Sequence, residues 1–421
     1  MRYAVIGFGT AGYHAVESIR EYDKTGQIHV YGDTGLAPYN PMLTTYYVSG
    51  KLEWEGLFPF GPLKQLQTRL NFAYRKERVL KVHAAGRLVE TDQGSEPYDK
   101  ILISTGAHAF APPIPGLSKE NACLMRTAAD AQRLKDRLKQ GGVRSAVVVG
   151  ASMAGIKVVE ALAKYGVKVC LADLAHHIFS LAAYPQVSEM IEKRVEAQGI
   201  KLCFGATVDH VEQQEGQKIA VMTDGTRIPA DLVCLCIGTR AATELVQGEL
   251  EIDRGILVNE KMETSVPGIY AAGDCCSGKN LESGQNQIIG LWANANRQGR
   301  TAGINMAGGQ AVFRGNILHN ITHFMGMDFI GFGDNRIQGE VLEAGGPDQD
   351  FYICAVIKDK TIAGANILDN CRISGILKNY MLRLFEGDHT PLPDYQLAML
   401  LQAGVPADFI KRIEEKIHGQ D

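Results

Sequence analysis

Three short motifs place glycines and a polar or acidic residue at spacings that suit nucleotide chemistry. AVIGFGTAG carries Gly7, Gly9 and Gly12, AVVVGASMAG carries Gly150, Ser152 and Gly155, and GIYAAGDCC carries Gly268, Gly273 and Asp274. In a G-x-G-x-x-G turn the first glycine permits a tight bend. The second lets the backbone approach a pyrophosphate, and the third lets the following helix press on the strand. The phosphates then meet the free N–H groups and the positive end of the helix dipole. One such turn says little. Two in one chain would hold two dinucleotides, and the chemistry that needs both is hydride transfer from one to the other.

The elements needed to position these residues are legible around them. RYAVIG reads as a strand, GFGTAG as the turn, and AGYHAVESIREY has helical periodicity, so Thr10 and Ala11 fall in the phosphate-facing turn. QIHVYGD is the next strand, and Asp33 stands about 20 residues past the loop, where a carboxylate can bind both adenosine ribose hydroxyls. A plain surface aspartate in a turn is the competing reading. The second loop repeats the unit: SAVVVG, the turn, then a helix containing Met153 and Ala154. Ser152 replaces the middle glycine and crowds the pyrophosphate slightly. VKVCLAD ends on Asp173, where a carboxylate pairs with the 2′-hydroxyl of NAD and repels the 2′-phosphate of NADP. Leu174, Ala175, His176 and His177 follow with no arginine, so NADH is expected over NADPH. The two histidines read as solvated loop residues, or as a phosphate contact if protonated.

A further strand, KILIS, ends in Thr105-Gly106-Ala107. This STGA turn, the RTAADA helix start at Arg126, the IGTR turn at Gly238 to Arg240, the AAGD motif and the two loops occur in an order that resembles FAD-dependent pyridine-nucleotide (disulfide) oxidoreductases. The resemblance covers nearly the whole chain. It implies an α/β fold: two Rossmann-like dinucleotide-binding domains, for FAD and NAD, plus a C-terminal α+β interface domain. The FAD domain would be split into residues 1–115 and 245–310, with the NAD domain at 116–244 and the interface domain at 311–421. It further implies that Asp274 bonds the ribityl chain of FAD, and that a helix beginning near Leu291 aims its N-terminus at the isoalloxazine, with Trp292 and Asn294 near the ring. Val79, in KERVLKV, matches a position whose backbone meets the adenine, or is an ordinary strand residue. Pro41, Thr105, Gly106, Gly238 and Gly273 complete the candidate cofactor contacts.

Several departures from the family's patterns narrow the chemistry. No CxxxxC pair follows the first strands. Relatives that use a single cysteine place it just before a PYY-like segment. In PYNPMLTTYYVSGK that place falls on Met42 or a neighbour, none of which is cysteine. A thioether forms neither a sulfenate nor a mixed disulfide, so thiol chemistry at the flavin is not expected. Oxygenase-type ferredoxin reductases usually carry a lysine where Thr45 stands, and the LTTYY pattern looks closest to the flavin module of NADH-dependent nitrite reductases. Many relatives have glutamate where Lys157 stands, near the flavin–nicotinamide contact. Lys157 would alter the field there or point away.

The chain has 421 residues, 45% hydrophobic and 21% charged, with a net charge of −4. That profile suits two to three soluble domains and argues against nucleic-acid or membrane partners. No apolar run reaches membrane-helix length, and because Met1-Arg2 lead straight into the first strand no signal peptide is expected. Nine cysteines in mostly apolar runs suit reduced thiols in the cytoplasm. Alternation puts Cys234 and Cys236 on one strand face in the core, and the vicinal pair Cys275-Cys276 is poorly shaped for a disulfide. His319 and His323 would clamp a metal on a helix, but their surroundings read as strand, so no metal is expected. FYICAVIKD and KTIAGANILD form a hairpin through Lys358-Asp359-Lys360, followed by helices. This part resembles the family's interface domain and raises a homodimer. The tail past HTPLPDYQ caps that domain or docks another subunit.

The function expected is an FAD-dependent NADH:acceptor oxidoreductase that passes electrons to a protein carrier or partner redox subunit. The chain has no cysteine cluster for iron–sulfur ligation, so such a centre would lie on the partner. The alternatives are an NADH oxidase and a flavin-bearing subunit of a larger complex. No fixed catalytic acid or base is expected, because the flavin carries the chemistry.

Overall fold

The computed structural model describes residues 1–118, 121–346, 349 and 351–419. They fall into two compact units. The first comprises Met1–Phe110, Arg126–Gln132 and Thr239–Asn316. Its centre is a five-stranded parallel sheet in the order Ile269–Ala271, Lys100–Ile103, Arg2–Ile6, Gln27–Tyr31, Ala73–Arg75. The strands are short apolar runs with Tyr3, Ala4, Val5, Ile101, Leu102 and Ile103 all buried, as a parallel sheet covered on both faces requires. The helix Thr10–Tyr22 follows the first strand and packs on the helix Trp292–Met306. Two glycines make that approach possible. A Cβ on Gly299 would lie 2.1 Å from the Ala11 carbonyl oxygen, and one on Gly303 would lie 2.4 Å from that of Ala15.

The second unit comprises Ala111–Met125, Arg133–Gly238 and Ile317–Asp421, of which 119, 120, 347, 348, 350, 420 and 421 are outside the described residues. It repeats the first sheet's plan with the order Lys201–Phe204, Lys168–Asp173, Ser145–Val149, Leu232–Leu235, Ala122–Leu124, again all parallel. Cys234 and Cys236 are buried there, as the alternation implies.

The C-terminal part of this unit is an antiparallel sheet of five strands: His319–Phe324, Met327–Gly333, Thr361–Leu368, Tyr352–Lys358 and Glu340–Gly345. His319 and His323 lie on its first strand. The expected hairpin is present. Asp359 and Lys360 both adopt positive φ (49° and 55°), the requirement of a two-residue turn matched to strand twist. The helices Ser374–Phe385, Asp394–Gln402 and Ala407–His418 follow, and Phe409, Ile413 and Ile417 of the last are buried. The tail therefore covers the apolar core of its own domain. The whole is the α/β class with two Rossmann-like sheets that the sequence implies. No helix is long and apolar enough to cross a membrane among the described residues.

Candidate functional site

In the first unit, Gly7 has φ +92°, and a Cβ there would stand 2.4 Å from the Ser104 carbonyl oxygen. Its N–H donates to Tyr31 at 2.9 Å, so the bend is fixed between neighbouring strands. Gly12 sits 2.3 Å, measured from a notional Cβ, from the Gly7 carbonyl oxygen. Gly9 differs: nothing lies within 4 Å of its notional Cβ. It is the N-cap of the Thr10–Tyr22 helix and gives no side-chain cap. Thr10 Oγ1 is buried with no hydrogen-bond partner, and Ala11 beside it is buried. This leaves a polar, unsatisfied helix start beside open space, which is the condition for holding an anion.

Around it, Asp33 is exposed two residues past its strand, Pro41 opens the short turn Pro41–Leu43, and Val79 begins the strand Val79–His83. Thr105 Oγ1 donates to the Ala242 carbonyl at 2.6 Å, and the Gly106 carbonyl accepts from the Ala242 N–H at 3.0 Å. Gly273 has φ +87°, and its N–H donates to Gln298 Oε1 at 2.9 Å. Asp274 is held by Arg126, whose guanidinium donates at 2.7 Å and also bonds the Ala107 carbonyl at 3.1 Å. Arg126 stands at the start of a capped helix: Thr127 Oγ1 accepts from the Asp130 N–H, and the Asp130 carboxylate accepts from the Thr127 N–H. Trp292 is the first residue of its helix and stacks on Phe60 with centroids 5.9 Å apart, while Phe60 stacks on Tyr13 at 4.0 Å. Asn294 is buried with both ends of its amide engaged, donating to Ile289 and accepting from Asn316.

The second unit carries the second loop. Gly150 has φ +107°, and a Cβ there would meet the Cys236 carbonyl oxygen at 2.4 Å. A Cβ on Gly155 would come within 1.9 Å of the Gly150 carbonyl oxygen. Ser152 is the N-cap of the helix Met153–Lys164: its Oγ accepts from the Gly155 N–H at 3.3 Å and donates to the Cys236 carbonyl at 3.1 Å. Met153 is half-buried and Ala154 is exposed in the first turn. Asp173 closes the loop, one oxygen accepting from the Ala151 N–H at 2.6 Å and the other from the Ala175 N–H at 2.8 Å. Gly238, at φ +97°, lies at the end of the unit with open space about it. The Lys157 ammonium is bonded to Glu160 and to the His323 carbonyl at 2.7 Å. Glu160 also accepts from the Met325 N–H at 3.2 Å. The pair therefore grips the turn between two strands of the C-terminal sheet.

A sequence profile described as pyridine nucleotide-disulphide oxidoreductase matches residues 1–299. The chain belongs to that family. It is an NAD(P)H-dependent flavin oxidoreductase, of a family whose members bind FAD and NAD(P)H. Among its relatives is the NADH-dependent phenylglyoxylate dehydrogenase subunit epsilon of Aromatoleum evansii, 29% identical over 411 residues, covering 96% of either chain. The rubredoxin-NAD(+) reductase of Pseudomonas putida is 27% identical over 286 residues, 67% of this chain and 73% of that one. In fold, the water-forming NADH oxidase of Lactobacillus brevis superposes with a TM-score of 0.86 at 22% identity, over 98% of this chain and 100% of that one.

Several side chains of this oxidoreductase's site have no distinct signature in the sequence. Arg126 reads there as a helix start, although its charge and its place in RTAADA also suit a partner for Asp274. Ser104 of STGA donates its hydroxyl to the Gly7 carbonyl at 2.8 Å and so braces the first loop. Phe60 and Gln298 have no local pattern that would single them out.

Proposed function

We propose that this protein oxidises NADH and delivers the electrons to a separate redox protein or partner subunit that carries a metal or iron–sulfur centre. The observation that carries this reading is the match to a protein named as a subunit. It runs over 96% of both chains, and so takes in the C-terminal part beyond residues 1–299. The stretch where thiol-using relatives carry their redox-active cysteine supports it: Met42 and its neighbours in PYNPMLTTYYVSGK include no cysteine, so there is no thiol to cycle there.

FAD fits the first unit on the chain's own chemistry. An uncapped helix start, a buried unpartnered Thr10 hydroxyl and the open space at Gly9 suit a pyrophosphate. Bound there, FAD supplies a two-electron acceptor for hydride that can release electrons singly or in pairs. Gly7, Gly9, Thr10, Ala11 and Gly12 would hold its phosphates, Asp33 its adenosine ribose, and Pro41, Val79, Thr105, Gly106 and Gly273 its flanks. Asp274, fixed by Arg126, would meet the ribityl chain, and Trp292 would set the polar end of its helix towards the ring.

NADH would take the second loop through Gly150, Ser152, Met153, Ala154 and Gly155, with Gly238 beside it. A carboxylate has about four lone-pair sites, and the two backbone N–H groups on Asp173 leave room for ribose hydroxyls. A 2′-phosphate would meet like charge, so NADH is preferred over NADPH. The nine free thiols suit a cytoplasmic protein, and a homodimer through the C-terminal domain belongs to the same reading.

Anaerobic stopped-flow tests the proposal. The yellow protein is bleached with NADH, then mixed with oxygen or with rubredoxin- and ferredoxin-type carriers. Fast discharge to a carrier with sluggish reoxidation by oxygen is expected. Rapid reoxidation by oxygen would make the protein an oxidase and overturn the proposal.

A further inference from the structure

All nine cysteines are free, and two of them stand side by side on the second unit's parallel sheet. Cys170 is in the strand Lys168–Asp173 and Cys203 in the edge strand Lys201–Phe204. The register pairs Cys170 with Lys201 and Ala172 with Cys203, so the two cysteines lie diagonally, two residues apart, on one sheet face. Their sulfurs are 2.9 Å apart. A disulfide bond is about 2.05 Å long, so closing it asks for a shift of roughly 1 Å shared by two side chains.

The two thiols differ in a way that suits sequential roles. Cys170 is buried, and that burial, followed by the hydrogen bond to Cys203, pushes its thiol well above the usual range. Cys203 is only partly buried and sits on the outermost strand. Cys123 and Cys234 of the same sheet, and Cys236 just past it, are all buried, so Cys203 is the more accessible thiol of this group.

We propose that Cys170 and Cys203 form a reversible redox-modification site that a small hydroperoxide converts to a disulfide. The Cys203 thiolate attacks one peroxide oxygen, the O–O bond breaks, and the leaving oxygen departs as hydroxide or alkoxide and takes up a proton. The product is a sulfenic acid on Cys203. The Cys170 sulfur then attacks the Cys203 sulfur, the S–O bond breaks, and the hydroxyl leaves as water with the Cys170 proton. In total two thiols lose two electrons and two protons, and one hydrogen peroxide becomes two waters. The new bond would tie the edge strand to the strand that ends on Asp173, whose carbonyl already accepts from the Ala206 N–H at 3.2 Å. The second nucleotide loop would thereby gain a covalent brace just behind its acidic residue.

The test is to treat the full-length, fully reduced flavoprotein with one equivalent of hydrogen peroxide, block free thiols in denaturant and digest with trypsin. Peptide 169–193 joined to peptide 202–218, lighter by two hydrogens than the sum of its parts, is expected, with titratable thiols falling by two from nine and restored by dithiothreitol. In Cys170→Ser the peroxide should leave a sulfenic acid on Cys203 that dimedone traps, and in Cys203→Ser it should leave Cys170 reduced. Both variants should stay yellow. A linkage from either cysteine to any other, oxidation of Cys371 with this pair still reduced, or oxidation of Cys170 in Cys203→Ser at the wild-type rate overturns the proposal.

Discussion

Asp173 does two jobs with one carboxylate. It satisfies the Ala151 N–H of the second loop at 2.6 Å and the Ala175 N–H at 2.8 Å, and in the proposed function it also selects the ribose. These jobs separate by substitution. Asp173→Asn keeps an acceptor for Ala151 and loses the charge, whereas Asp173→Ala loses both. A hydrogen bond to a charged group contributes about 1.5–3 kcal/mol. Roughly 10- to 100-fold should therefore be lost in kcat/KM for NADH in Asp173→Ala, with a smaller loss or a gain for NADPH. The asparagine variant should show most of the cofactor shift with less fall in Tm. The ratio of the two kcat/KM values is the measurement, and a ratio equal to wild type in both variants would sink the assignment. That Asp173 ends its strand was legible in VKVCLAD, because an apolar run closed by an acid has few other readings. That its oxygens face the loop's own amides was not, because it depends on the distance between two turns closed by Gly150 and Ala175.

At the scale of elements, the two loops show how one sequence pattern hides two chemistries. Gly9 leaves its helix start without a side-chain cap, while Ser152 caps its helix through the Gly155 N–H. An uncapped, buried helix start is costly unless an anion fills it, which suits a resident cofactor. A loop that caps itself remains satisfied when its ligand leaves, which suits an exchangeable nucleotide. The spacing of glycines shows both turns but not this difference, since serine reads simply as a small residue. Lys157 is a comparable case. Its helical position was legible, but the direction of its side chain is set by Glu160 one turn on and by the His323 carbonyl, which the C-terminal sheet brings from 166 residues away.

That sheet also carries a pH-dependent element. His319 Nε2 lies 3.0 Å from the Lys378 ammonium, and burial, with that charge, pushes the imidazole pKa down to about 4. The folded protein thus keeps His319 neutral while the unfolded chain titrates near 6.5. Stability from this group is complete above pH 6.5. It is lost as pH falls from there to about 4, where the folded state also takes the proton. The loss should reach about 1–3 kcal/mol. His319→Gln removes the titration, so the Tm gap between wild type and variant should move in the variant's favour between pH 7 and pH 5. A gap that stays constant would show that this histidine is not under strain.

At the scale of the whole molecule, the chain builds the same parallel sheet twice and gives each copy its own glycine turn. The sequence showed this repetition plainly, because strand, turn, helix and acidic residue recur in order around Gly7 and Gly150. What it could not show is how the segments regroup. Arg126–Gln132 joins the first unit although it follows Ala111–Met125 of the second, and its Arg126 holds Asp274 from a stretch 148 residues on. Because each turn belongs to a different compact unit, ligand protection should be divisible. Hydrogen exchange followed by mass spectrometry checks this on the protein as purified. Removing and then restoring FAD should change protection at Arg2–Tyr22 and at residues 271–299. Adding NAD to the FAD-loaded protein should slow exchange at Ser145–Lys164 and Lys168–Asp173, with little change at Arg2–Ile6. The opposite pattern, NAD protecting the first loop and FAD the second, would reverse the proposed assignment of both turns. Protection of one loop by both ligands would show that the repeated motif does not serve two separate nucleotides.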